Sequence, residues 1–141
     1  MFKRDESFYI VDLLIACNKV MRYTHRFKNA DDFRWSELEW DATLRELEIV
    51  GESVNKLIGL GVLNNKQHRK IVDFRNVIVH GYFGVDEIEV WSVVKVKLPD
   101  LCDEVREMIQ ERSVDINFAV ECAIEENERN EKVVSFLKSL L

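Results

Sequence analysis

One proline and five glycines among 141 residues leave the chain few means of making tight turns or breaking regular structure. That scarcity argues against a β-sandwich or barrel, whose many hairpins use these residues, and for long helices. No apolar run approaches the roughly 20 residues that span a bilayer. The start, "MFKRDESFYI", places acidic residues where a signal peptide would continue apolar, so secretion is not expected. The cysteines are three, Cys17, Cys102 and Cys122, with no CxxC spacing. An odd, scattered set reads as reduced thiols of a cytoplasmic protein rather than a disulfide frame or a metal knuckle.

An excess of positive charge is also missing. The net charge is −6, which argues against a broad electrostatic footprint for nucleic acid. The distribution is uneven, however. Residues 1–30 carry six basic and three acidic groups, whereas residues 101–141 carry five basic and ten acidic groups. A basic N-terminal helix can therefore form a local patch on an otherwise acidic molecule.

What the sequence does contain is apolar residues at helical spacing: 47% of the chain is hydrophobic and 33% charged, enough for one domain with a real core. The spacing predicts a first helix from about Asp5 to His25, with Phe8, Val11, Leu14, Ile15 and Met21 on its apolar face. "RFKNADDFRW" is polar and irregular and reads as a loop. "SELE", Ser36 to Glu39, has the form of a capping box. It opens a second helix to about Ile58, whose stripe Trp40, Leu44, Leu47, Gly51, Val54, Ile58 keeps a 4-3-4-3-4 spacing. Gly51 costs that helix about 1 kcal/mol relative to alanine, and the usual compensation is close approach by a neighbouring helix.

A third helix begins at Asn64 or Asn65, runs to about His80 and ends at Gly81. Asp86 caps a fourth, which carries Ile88, Trp91, Val94 and Leu98, is interrupted at Pro99 and resumes from about Asp100 to Arg112. Residues 115–141 are helical in pattern, acidic in "ECAIEENERNEK", and end in "VVSFLKSLL". The expected architecture is all-α: an antiparallel, up-and-down four-helix bundle over residues 1–112, with residues 113–141 adding a C-terminal helix to the same domain.

The third helix holds the residues that ordinary packing does not require. Asp73, Asn76 and His80 fall on one stripe, and Arg75 lies five residues before His80, about 140° around an ideal helix. Arg75 and His80 therefore do not stack within one copy, and the spacing hints at a composite site. An imidazole can take a proton from a ribose 2′-OH or give one to a leaving 5′-oxygen. A guanidinium can hold the charge of a phosphoryl transition state. Asn76 can orient the ring or the substrate, and Tyr82 follows just past the glycine break. The plain alternative is a structural ion pair or cap. On the second helix Asp41, Arg45, Glu48 and Glu52 form a parallel stripe, either solvated ion pairs or a set that positions Arg75. Glu52, beside Gly51, is the best placed for that supporting role. No spacing among the carboxylates and His25, His68 and His80 suits a metal, and neither metal nor cofactor is expected.

"RNVIVHGY" matches the R-x-x-x-x-H-x-Y signature of HepT-like toxins, a branch of the HEPN superfamily of helical ribonucleases. "DLLIACNKVMRYT", "DATLRELEIVGESVNKL" and "VWSVVKVKLPDL" resemble the family's first, second and fourth helices, in order, over most of residues 8–110. The resemblance implies a metal-independent endoribonuclease toxin of a toxin–antitoxin system, with Arg75 and His80 catalytic. It implies a homodimer in which two copies of the motif line one cleft. It also implies an MntA-like minimal nucleotidyltransferase antitoxin, which neutralises the toxin by AMPylation of Tyr82. The acidic balance favours a narrow RNA substrate, such as part of a transfer RNA or a messenger RNA. A competing reading is a non-catalytic helical partner subunit that binds a nucleotide or a minimal nucleotidyltransferase.

Overall fold

The computed structural model describes residues 5–81 and 84–141. They form α1 (Glu6–Thr24), α2 (Ala30–Arg34), α3 (Glu37–Gly59), α4 (Asn65–His80), α5 (Glu87–Ser92), a π-helical segment (Val93–Lys97), α6 (Leu98–Glu111), α7 (Asn117–Glu126) and α8 (Glu131–Lys138). The molecule is an all-α bundle. Its long helices begin and end where local chemistry allows. Asp5 accepts the amide of Ser7 at 2.8 Å to open α1, and Asn64 accepts the amide of Gln67 at 3.2 Å to open α4. Gly81 closes α4 in the left-handed region, φ 57°, its amide returning to the Val77 carbonyl at 2.9 Å.

The core lies where α1 and α3 pack along each other; the π-helical segment and α6 pack on α1, and α5 packs on α2. Ile10, Leu13, Leu14 and Val20 of α1 meet Leu47, Val50, Val54 and Leu57 of α3 in one cluster with Val90, Leu98 and Val105. An aromatic knot holds one end: Phe33, fully buried, lies 5.5 Å from Phe27, 5.2 Å from Trp40 and 6.0 Å from Trp91 between ring centroids.

Pro99 acts one turn upstream of itself. Lacking an amide hydrogen, it cannot bond the carbonyl of Lys95, and its ring crowds the preceding turn. The helix answers by widening: the Leu98 amide reaches back five residues to Val93, and α6 restarts with Pro99 in its first turn. The exposed Lys95 then places Nζ over Trp91, 4.7 Å from the ring centroid, where it donates to the Thr24 carbonyl at 3.3 Å.

Several expectations need correction. The polar segment expected as loop contains α2, because Asn29 caps it through the amide of Asp32 at 2.8 Å and Phe33 anchors it in the core. Ser36 does not bond an α3 amide; its hydroxyl donates to the carboxylate of Glu39, which also takes Arg26 at 3.1 Å. Met21 and Ile88 sit at the solvent edge of their stripes, 50% and 66% exposed, rather than in the core. The C-terminal stretch is two helices, not one. Asn127 ends α7 by donating to the Ala123 carbonyl at 2.8 Å, and Asn130 starts α8 by accepting the Val133 amide at 3.2 Å. Both helices pack on α1 through Ala119, Val120, Val133 and Leu137, each almost wholly buried.

Candidate active site on α4

Among the described residues, α4 packs along its length on α3, and no other helix covers it to a comparable extent. Val72, Phe74 and Ile78 turn inward, whereas Val77 and Val79 are about half exposed. Its first turn is pinned at a distance: buried His68 places Nε2 3.2 Å from a carboxylate oxygen of Glu104 on α6. The remaining flank is open, and the polar residues of the last turns lie there.

Arg75 emerges from the α3–α4 seam. Its Nη2 donates to Glu52 Oε2 at 3.1 Å and its Nη1 donates to Asn76 Oδ1 at 2.9 Å. The side chain is 32% exposed, while Nε is buried without a hydrogen-bond partner among the described residues. The stem is thus enclosed and only the fork reaches the surface. Each terminal nitrogen carries a second N–H, which suits the guanidinium to an additional oxygen ligand such as phosphate.

The seam closes tightly at this point because α3 offers no side chain. A Cβ built on Gly51 would stand 2.2 Å from Arg75 Cβ and 2.6 Å from its Cγ. The glycine spacing of the α3 stripe therefore corresponds to close contact with α4, and the residue that fills the gap is Arg75 itself.

His80 is exposed on the last turn of α4. Following α4 from Arg75 to His80 advances about 7.5 Å, which on antiparallel α3 is matched by retreating from Gly51 toward Arg45. Asp41 and Arg45 thus lie toward the His80 end. Arg45 pairs with Glu48 at 3.3 Å rather than with Arg75, and Asp41 is exposed. Among the described residues of the α3 stripe, Glu52 alone bonds the guanidinium. Asp73 pairs with Arg69 at 3.4 Å, away from Arg75. Asn76 has its side-chain oxygen committed to Arg75 rather than to His80. Tyr82 lies outside the described residues.

The groups with displaced titration lie elsewhere. Burial on the α1 side of α3 raises the Glu46 carboxyl, against the opposing pull of Lys19 at 4.0 Å. Burial, with the neighbouring Cys102 thiol, holds Cys17 as a thiol well above its ordinary range. The Glu39 carboxyl is lowered by the Ser36 hydroxyl and by Arg26. Among the described residues no cluster of His, Cys, Asp or Glu is arranged to hold a metal ion, and no helix is long and apolar enough to cross a membrane.

Two contacts that spacing did not single out are His68–Glu104 and the burial of Arg75's stem on Gly51. The first joins residues 36 apart and has no local signal. The second was half visible, as a glycine in a packing seam without a named neighbour.

Comparison with known proteins supplies the context. A protein of Methanocaldococcus jannaschii named "Putative RNase" is 31% identical over 107 residues, covering 74% of this chain and 97% of that protein. A second from the same organism, named "Gamma-glutamylcyclotransferase and putative RNase", is 30% identical over 112 residues; the match covers 77% of this chain but only 50% of that longer protein. A "Probable ribonuclease HepT" of Thermococcus cleftensis is 28% identical over 101 residues, 70% of this chain and 91% of that protein. No solved structure matches the chain. The family model described as "Ribonuclease HepT-like" matches residues 13–108, from within α1 into the last turn of α6 and including every residue of the α4 constellation. The chain belongs to the ribonuclease HepT-like family of the HEPN superfamily.

Proposed function

We propose that this chain is a metal-independent endoribonuclease, the toxin of a toxin–antitoxin pair, acting as a homodimer in which two copies of Arg75 and His80 share one cleft. The observation that carries the reading is the guanidinium of Arg75, held at the surface by Glu52 and Asn76 with its stem enclosed, five residues before an exposed histidine on the same helix. A preorganised fork of this kind stabilises charge that develops on phosphate oxygens without reorganising at the moment of reaction.

In the proposed reaction the ribose 2′-oxygen attacks the adjacent phosphorus as its proton passes to a base. The P–O5′ bond breaks, and the 5′-oxygen leaves with a proton from an acid. The products are a 2′,3′-cyclic phosphate and a 5′-hydroxyl, so no water is consumed. One His80 serves as acid or base, and Arg75 neutralises the non-bridging oxygens. The 140° between them on one helix is why a second protomer is invoked. Its docking face would include the open flank of α4, where Val77 and Val79 are half exposed.

The antitoxin in this reading is an MntA-like minimal nucleotidyltransferase that transfers AMP from ATP to the Tyr82 hydroxyl, releasing pyrophosphate. The added phosphate would bring negative charge to the toxin and repel RNA. The protein would act in the cytoplasm on a narrow set of transfer or messenger RNAs.

Arg75→Ala and His80→Ala should each lower RNA cleavage by at least ~100-fold while circular dichroism and Tm stay near those of the wild type. Cleavage by purified protein, and 2′,3′-cyclic ends on the fragments, are the measurements. If the wild-type protein cuts no RNA yet forms a stable complex with a nucleotidyltransferase that His80→Ala leaves intact, the chain is a non-catalytic partner subunit instead. Incubation with that transferase and ATP should add the mass of AMP to the peptide containing Tyr82, and not to the same peptide of Tyr82→Phe.

A further inference from the structure

We infer that Gly51 is a positioning residue for Arg75: its missing side chain sets how deeply α4 seats on α3, and hence where the guanidinium emerges. The inference rests on the ribonuclease reading above and adds to it a residue that bears no chemistry of its own.

The contact is between backbone-proximal atoms. Arg75 Cβ and Cγ occupy the space in which any larger residue at position 51 would place its Cβ, at 2.2 and 2.6 Å. Such distances are far inside van der Waals contact. Because Cβ is fixed to the backbone, rotation of the side chain cannot relieve the closer one; α4 itself would have to move. Seating at this depth does two things. It buries Nε and the stem, removing most of the freedom of a long side chain. It also brings Nη2 to 3.1 Å from Glu52, the residue after Gly51 on the same helix. Glycine and carboxylate are thus adjacent in sequence and act on adjacent parts of one arginine, the first on its stem and the second on its fork. Displacing α4 outward by even ~1 Å would carry the fork past Glu52 and away from the oxygen it is to neutralise. Misplacements of that size at a reacting centre cost about 100-fold in rate.

The packing claim has a test independent of any activity. Gly51→Ala should lower Tm by about 5 °C in the wild-type background, because the strain of overpacking exceeds the gain in helix propensity. The penalty should persist in an Arg75→Ala background, where Cβ remains, and vanish in an Arg75→Gly background. There the alanine should instead raise Tm by about 3 °C through propensity alone. Equal effects of Gly51→Ala in the Arg75→Ala and Arg75→Gly backgrounds would overturn the contact.

The positioning claim is read in kinetics. With bulk transfer RNA as the probe, or one RNA that the wild type cuts, Gly51→Ala should lower the cleavage rate at saturating RNA by at least about tenfold and change KM by less than about threefold. Loss of a geometry needed only in the transition state gives that split, whereas partial unfolding would scale the active fraction by the folded fraction measured on the same sample. An unchanged saturating rate would overturn positioning even if the stability cycle came out as expected. A wild-type protein that cuts no RNA would end the ribonuclease reading and the positioning claim with it, leaving the cycle to decide the contact alone.

Discussion

The two flanks of α3 are built to opposite specifications. On one side α1 is enclosed by α3, α6, α7 and α8, and Ile10, Leu13, Leu14, Ala16 and Val20 are all but invisible to solvent. On the other side, among the described residues, α4 packs mainly on α3 with one further tie from His68 to α6, keeps two valines half exposed, and sets an arginine stem into the seam at Gly51. The first flank supplies stability through apolar burial. The second holds polar groups at the surface and draws the rigidity they need from the first. Glu52 and Asn76 satisfy the terminal nitrogens of Arg75, whereas its enclosed Nε has no hydrogen-bond partner among the described residues. Holding the arginine here therefore carries a cost that the first flank must offset.

If this division is right, damage to the enclosed flank should unfold the protein without altering the chemistry of what remains folded. Leu137→Ala provides the largest expected effect. The residue is fully buried on α8, outside the part of the chain matched by the family model, and its truncation should cost about 2–5 kcal/mol. Denaturant unfolding measures the loss. RNA cleavage per folded molecule should be unchanged, and a drop in that quantity would join the C-terminal helices to the site and dissolve the contrast.

A smaller effect tests the open flank. Gly81 ends α4 at φ 57°, where a Cβ is strained, so Gly81→Ala should cost about 1 kcal/mol. Because it loosens the turn that carries His80, the loss of cleavage should exceed the loss of stability, the reverse of Leu137→Ala. A variant that lost stability and activity in proportion would show the two flanks to be one cooperative unit.

The contrast also explains what could be read in the sequence. Helix ends with a chemical cause were legible: Asn64, Gly81, Asp86 and Pro99 each mark a boundary found in the structure. So was the close approach at Gly51, although not the identity of the partner. The five residues of α2 were not, because a single turn and a half lacks periodicity and is held by the distant contacts of Phe33 with Trp40 and Trp91. The break between α7 and α8 was hidden for a related reason: two asparagine caps make it, without glycine or proline. Arg75 and His80 stood out as polar residues on a packed helix, although the seam at Gly51 does use the arginine's stem. Arg45 and Asp41 shared a stripe with Glu52, but spacing along one helix cannot say how far a neighbouring helix extends beside it, and only Glu52 meets the guanidinium.

The smallest effect concerns the carboxylate on the enclosed side. Glu46 is buried between α1 and α3, and burial raises its carboxyl above the usual range, Lys19 offsetting only part of that cost. A raised carboxyl binds its proton more tightly when folded than when unfolded. Stability should therefore increase as pH falls from the folded value toward the unfolded one near 4.5, and the cost should be fully present above the folded value. Glu46→Gln removes the charge, so at pH 7 it should be slightly more stable than the wild type, by a fraction of a kcal/mol, on the order of a mild substitution. Thermal melts of both proteins between about pH 4.5 and 7.5 would show the two curves converging as pH falls. Curves that stayed parallel would mean that Lys19 fully compensates the buried charge, and that even the enclosed flank of α3 carries an ion pair at no net cost.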